Sequence, residues 1–326
     1  MPFEIVPDLL EHEQLAGEAP RETDPELLHQ RGLEHWKRGE LGPALAHLFA
    51  LCQLNPSRPS DKLHRQKGLL GFAIAASALG RIRLSHRLIE LLLAEPLHES
   101  LRVNVLCQAA LNWADIGSND LAMGCLDRAE AITKRSDHRS KAFIRHNRAM
   151  FLLAARQLAV AMNQVNRAIR AYRKAGDLLN ALLAHGIKAR ILLASGEPAA
   201  ALKLARRARR EAEEEGLSHV AARRALDEAH ALVALERADA ALPVLNVALA
   251  TAVEVSDRTL EFQVHFWLWK AYTSLGDATR ADLQRETAEH LVRFVQDPVD
   301  EAKELRALGQ KRKDVSPSRR PRSRRR

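Results

Sequence analysis

The chain has 326 residues and a formal net charge of +9; 46% of it is hydrophobic and only 4% aromatic. That apolar content can build an extensive core, yet no run of about 20 apolar residues occurs, which argues against a membrane-spanning helix. Cys52, Cys107 and Cys125 are odd in number and far apart, which excludes a disulfide framework and suits a reducing compartment.

The charge is divided along the chain. Residues 1–26 carry eight acidic side chains against Arg21, and residues 311–326 carry nine Lys and Arg against Asp314. The head, residues 1–24, is acidic and expected to be disordered. Its opening, MPFEIVPDLLEHEQ, lacks the basic-then-apolar order of a secretion signal. The expected location is therefore cytoplasmic, or nuclear if the cell is eukaryotic.

From residue 27 a pattern starts and recurs. LLHQRGLEHWKRGELGPALAHLFALCQLNP places Gly32, Gly39, Ala44, Leu48 and Pro56 at offsets 0, 7, 12, 16 and 24. The same frame puts Gly32, Ala73, Ala110, Ala149, Ala189, Ala229 and Trp269 at offset 0. Offset 12 holds Ala44, Ser85, Ala122, Ala161, Ala201, Ala241 and Ala281, and offset 19 holds Leu51, Leu92, Ala129, Ala168, Ala208, Ala248 and Ala288. Offset 7 holds Gly39, Gly80, Gly117, Arg156, Gly196, Glu236 and Gly276. Successive frames are 41, 37, 39, 40, 40 and 40 residues apart.

Alanine and leucine dominate, and both favour helix. Each unit reads as a helix, a turn at offset 7 where glycine tolerates positive φ, and a second, antiparallel helix. Small residues at offsets 0 and 12 allow close approach, and apolar residues at offset 16 fill the layer to the next unit. One pair cannot bury its apolar face alone, so the units stack into one body.

The small–Gly–Ala–apolar–Ala order resembles the tetratricopeptide repeat over roughly residues 25–296. The resemblance implies an all-α, right-handed α-solenoid of about seven antiparallel helix pairs, filling residues 25–310. It departs from the family in its period, near 40 rather than 34, and in its few aromatic residues. The last unit is irregular: Trp267, Trp269 and Tyr272 crowd its first helix, and Arg285 stands at offset 16. A capping helix is expected over VDEAKELRALG, with Val299, Ala302, Leu305 and Leu308 on its apolar face.

No phosphate-binding glycine loop, H-E-x-x-H or C-x-x-C occurs, and no nucleophile, base and orienting group can be assembled. The expectation is a protein that is not an enzyme and holds no metal or cofactor. The resemblance implies a concave groove lined by the first helices, at offsets −6, −3, +1 and +4. Candidate groove residues are Lys67, His146, Met150, Arg190, Arg223, His230 and Lys270, suited to a peptide with carboxylates and apolar anchors.

Basic residues also gather on second helices, in RRARR at 206–210 and at Arg167, Arg170, Arg173 and Lys174, partly offset by Glu211, Glu213, Glu214 and Glu215. The tail, 311–326, is expected to be disordered. Its Lys311, Arg312, Lys313, Arg319, Arg320, Arg322, Arg324, Arg325 and Arg326 are candidate polyanion contacts. Two functions stay open: a scaffold that binds a partner segment in its groove, and an adaptor anchored to nucleic acid or ribosome by its tail. The oligomeric state is not legible.

Overall fold

A computed structural model describes residues 20–38, 41–55, 58–78, 82–255, 257–292 and 300–315. Residues 1–19 of the acidic head, the expected turn glycines Gly39 and Gly80, Pro56, Val299 and the arginines from 319 onward lie outside the described residues. Among the described residues there are fifteen helices and no strand.

First helices of the repeat are α1 (Pro25–Arg38), α3 (Pro59–Ala78), α5 (Glu99–Asp115), α7 (His138–Ala154), α9 (Leu178–Ala194), α11 (Ser218–Ala234) and α13 (Arg258–Ser274). Second helices are α2 (Leu41–Cys52), α4 (Ile82–Ala94), α6 (Asn119–Ile132), α8 (Leu158–Lys174), α10 (Pro198–Glu214), α12 (Ala238–Glu254) and α14 (Ala278–Leu291). The last helix is α15 (Asp300–Val315). From α1 to α14 each helix packs on the next in the chain, so the fold is an all-α solenoid of helix pairs. No described helix is long and apolar enough to cross a membrane.

Local chemistry sets the boundaries. Asp137, Asp177 and Asp257 cap α7, α9 and α13, their carboxylates accepting from the backbone N–H of Ser140, Asn180 and Leu260. Between the two helices of a unit stands one residue in the left-handed region: Gly117 (φ 82°), Arg156 (60°), Gly196 (77°), Glu236 (60°) and Gly276 (74°). These are the offset-7 positions of the frame. At Gly196 the amide bonds Leu193 O at 3.0 Å and the next amide bonds Leu192 O at 2.9 Å, so the exposed carbonyls of the helix end are satisfied. Arg156 and Glu236 close their helices with the same pair of bonds.

Packing follows the small residues. Ala122, Ala161, Ala201 and Ala241, with Ala129, Ala168, Ala208 and Ala248, are all 0% exposed. Successive first helices touch one another, from α1–α3 through α11–α13, whereas successive second helices do not pack to a comparable extent. The first helices therefore form the inner wall of the curve and the second helices the outer. Polar contacts repeat along the inner wall: His64 to Glu26, Arg139 to Asp177, His219 to Asp257 and Gln263 to Glu301, each pair 38 residues apart. Across the inner side α1 also comes up against α11.

Helix α15 sits where the first helix of a further unit would. Ala302 and Leu305 are buried against Phe262, Phe266, Ala288 and Leu291. Leu308, expected on that apolar face, is 39% exposed. The helix continues through Lys311, Arg312 and Lys313 to Val315; Gln, Lys and Arg are good helix formers.

The offset-7 residues generate a stability test. A Cβ at Gly196 would meet nothing within 4 Å, so Gly196→Ala carries only the conformational penalty of positive φ. It should cost about 1 kcal/mol, whereas Arg156→Gly and Glu236→Gly should each stabilise by about 0.5–1 kcal/mol. Urea midpoints at unchanged slope check both signs; a loss of stability on either glycine substitution contradicts this account of the turns.

Candidate functional site

The inner wall is most polar where α7, α9, α11 and α13 lie side by side. Its organising feature is an exchange between a glycine and an arginine. Gly186 on α9 holds the frame position of His146 on α7 and Phe266 on α13. The space left by its missing side chain is filled from α11: a Cβ on Gly186 would stand 2.2–2.3 Å from the Arg224 guanidinium. Arg224 is only 7% exposed, and its Nη1 donates to Leu182 O at 2.7 Å. Its Nε lies 2.9 Å from Asp227 Oδ2, a charge contact whose angles leave both atoms without a hydrogen bond. Burial lowers the pKa of Arg224, and it raises that of Asp227 against the opposing pull of Arg224 and Arg190. Burying an ion pair offsets only part of the desolvation, so such a pair fixes geometry more than it adds stability.

Arg190 follows Gly186 by one turn of α9. It is exposed, and no carboxylate among the described residues lies within ion-pair distance of it. It acts on two histidines of the neighbouring helices. His146 is 9% exposed, and its Nδ1 has no hydrogen-bond partner. Its pKa is pushed down to about 4, first by burial and then by Arg190 and Arg224. His230 lies stacked on Trp267, ring centroids 3.9 Å apart, and is likewise pushed down to about 4 by burial and Arg190, against the pull of Glu304. Trp267 Nε1 donates to Glu301 on α15 at 3.1 Å. A cation thus stands free beside two neutral imidazoles and a flat aromatic wall. This surface can take an anionic group with an apolar neighbour.

Of the residues expected in the groove, the structure brings His146, Arg190 and His230 together. Met150 is half-buried and packs into the cores on both sides of α7, so much of it is interior. Arg223 is committed elsewhere: its Nη2 donates to Asp257 at 2.7 Å, beside His219. Those partners, with the Leu260 amide, hold the Asp257 carboxyl well below the usual carboxylate range against its burial. Lys270 bonds Glu304 at 2.5 Å and lies over the Phe266 and Trp269 rings. Lys67 lies on α3, where it acts on Glu26 and His29 of α1.

Arg224, Asp227 and Trp267 are central and were not among the candidates. Their signal was present as Gly186, a glycine in mid-helix at a groove position. The basic clusters of the second helices are also split. Arg206 and Arg209 turn inward, each donating through Nε to the buried Glu228 at 2.8 and 2.9 Å, and Arg173 pairs with Glu211. Cys52, Cys107 and Cys125 are free thiols, and burial pushes Cys52 and Cys107 up to about 12, which leaves neither poised as a nucleophile. Among the described residues no three His, Cys, Asp or Glu are placed to hold a metal ion.

No family model matches the chain, and no curated protein matches it. Solved structures do match. A Rap protein complexed with Competence and Sporulation Factor has a TM-score of 0.65 at 15% identity, covering 89% of this chain and 87% of that one. Aspartyl phosphate phosphatase F from Bacillus subtilis gives 0.54 at 14% identity, covering 90% and 87%. A signal-transduction ATPase of Pyrococcus horikoshii with a tetratricopeptide repeat sensor gives 0.58 at 13%, covering 86% of this chain and 43% of that one. At these identities the likeness is one of fold: a tetratricopeptide-like helical repeat.

Two measurements probe the site. Gly186→Ala should displace the Arg224 guanidinium and cost about 1–3 kcal/mol. In the Arg224→Ala background the same change should cost much less, and additive losses in the double-mutant cycle would refute the contact. The histidines predict a pH dependence. His146, His185 and His230 have folded pKa values of about 4 against an ordinary 6.5. Each therefore stabilises the fold above pH 6.5, and that contribution is lost as pH falls toward 4, where the unfolded chain binds protons the folded one does not. His146→Gln should flatten the stability–pH slope in this window by up to about 1.4 kcal/mol per pH unit, read from urea midpoints.

Proposed function

We propose that this protein is a non-catalytic interaction scaffold that holds a peptide segment of a protein partner along its inner wall, with Arg190 as the anchor for an acidic residue. The single observation that carries this reading is Arg190 itself: an exposed cation on the inner wall with no carboxylate within ion-pair distance among the described residues. A charge left unpaired between two neutral histidines is what a site for an incoming carboxylate requires. The stacked His230–Trp267 face beside it offers an apolar contact for the neighbouring residue of the segment. The tetratricopeptide-like fold supports the reading, because such solenoids present a concave wall broad enough for an extended chain. The free thiols suit a reducing compartment, and we place the protein in the cytoplasm.

A random peptide library displayed on phage and selected against the full chain tests it. Enriched sequences should carry an acidic residue next to an apolar one. Synthetic peptides from that selection should bind Arg190→Glu at least ten-fold more weakly, while the variant keeps the parent's thermal midpoint. Equal binding to the variant would remove the anchor.

A further inference from the structure

The outer wall carries a second, independent feature. On α8, Arg167, Arg170 and Lys174 are exposed and lie one above another at three- and four-residue spacing; on α10, Lys203, Arg207 and Arg210 do the same. Arg167 and Arg207 hold the same position of the repeat frame, as do Arg170 and Arg210. The Arg173–Glu211 ion pair ties the two helices together at that level. Three nearby carboxylates are engaged, Glu211 with Arg173, Glu213 with Arg209 and Glu228 with Arg206 and Arg209, while Glu214 and Glu215 stand exposed at the end of α10, beyond the cationic line. Arg207 also faces Glu211 one turn on, but none of the six cations is in an ion pair among the described residues. Other arginines are paired, Arg148 with both Asp127 and Glu130, and Arg223 with Asp257.

Like charges at three- and four-residue spacing each cost a few tenths of a kcal/mol. Two such lines side by side form a patch of concentrated positive potential that attracts polyanions. No exposed aromatic or large apolar side chain stands between them. A protein interface would need such anchors, and so would insertion into a lipid surface. Cations alone fit a phosphate backbone. Each line spans about 10 Å, the run of about three phosphates of one strand. Because this wall is convex, a flexible single strand can follow it where a stiff duplex touches it at one point.

We propose that the outer face of α8 and α10 is a docking surface for the backbone of single-stranded nucleic acid, bound without reading sequence. The probe is fluorescein-labelled oligothymidylate, followed by anisotropy over a salt series. The parent is the full chain with Arg319, Arg320, Arg322, Arg324, Arg325 and Arg326 changed to Gln, so that the tail does not mask the ridge. In that parent, Arg167→Gln, Arg170→Gln, Arg207→Gln and Arg210→Gln together should weaken binding at least ten-fold at low salt. They should also flatten the slope of log affinity against log salt by about 3, at about 0.7 per lost phosphate contact. Lysine at the same four positions should keep the slope. If the four-fold variant fails to fold, Arg167→Gln with Arg207→Gln should lower the slope by about 1.4. An unchanged slope overturns the proposal. So does a parent that does not bind the oligonucleotide, or one that prefers polyglutamate or anionic vesicles to it. Because Arg190 lies on the opposite wall, the outcome is independent of the groove experiment.

Discussion

Close approach of helices across alanine is the constraint on which the rest depends. At offsets 12 and 19 the side chains of α6, α8, α10 and α12 are methyl groups with no exposure at all. A larger residue there would force the helices apart, and interiors packed at crystal-like density tolerate such insertions poorly. Because the small residues recur in one register, the first helices also touch each other and the stack curves toward them. The inner wall, its polar ladder and the spacing of the outer stripes all inherit that register.

Within this frame, arginines of similar sequence context end up in three physical states. Arg224 is buried against a helix backbone, occupying the volume that Gly186 leaves empty. Arg173, Arg206 and Arg209 are tied to carboxylates that bridge helices. Arg190, Arg167 and Arg207 remain free of such partners among the described residues. A net charge of +9 says nothing about that division. What separates the three states is where the frame puts each residue: toward the next helix, toward a buried acid, or toward solvent.

The fold was legible because its signal is redundant. Small residues at offsets 0, 12 and 19 recur in unit after unit, and every described offset-7 residue lies in the left-handed region, even where the residue is Arg156 or Glu236. The site was legible only in part. Offset arithmetic placed His146, Arg190 and His230 on one wall, where Arg190 acts on both histidines, because position along a helix fixes which wall a residue joins. It could not show that Arg223 spends its charge on Asp257, or that Arg224 crosses to α9, because both depend on partners 34 and 42 residues away along the chain that only the fold brings close. Trp267 looked like part of an irregular last unit, whereas its ring is the wall on which His230 stacks.

The contact between α1 and α11 joins elements with nine helices between them. It is slight, and every more extensive helix contact among the described residues is between helices one or two apart in the chain, so most of the solenoid can assemble by local steps. This contact cannot form until the intervening helices are in place, and closing so long a loop carries an entropic cost that short connections escape. During folding it is therefore the last joint to close, and in the native state it is the natural first point of local opening.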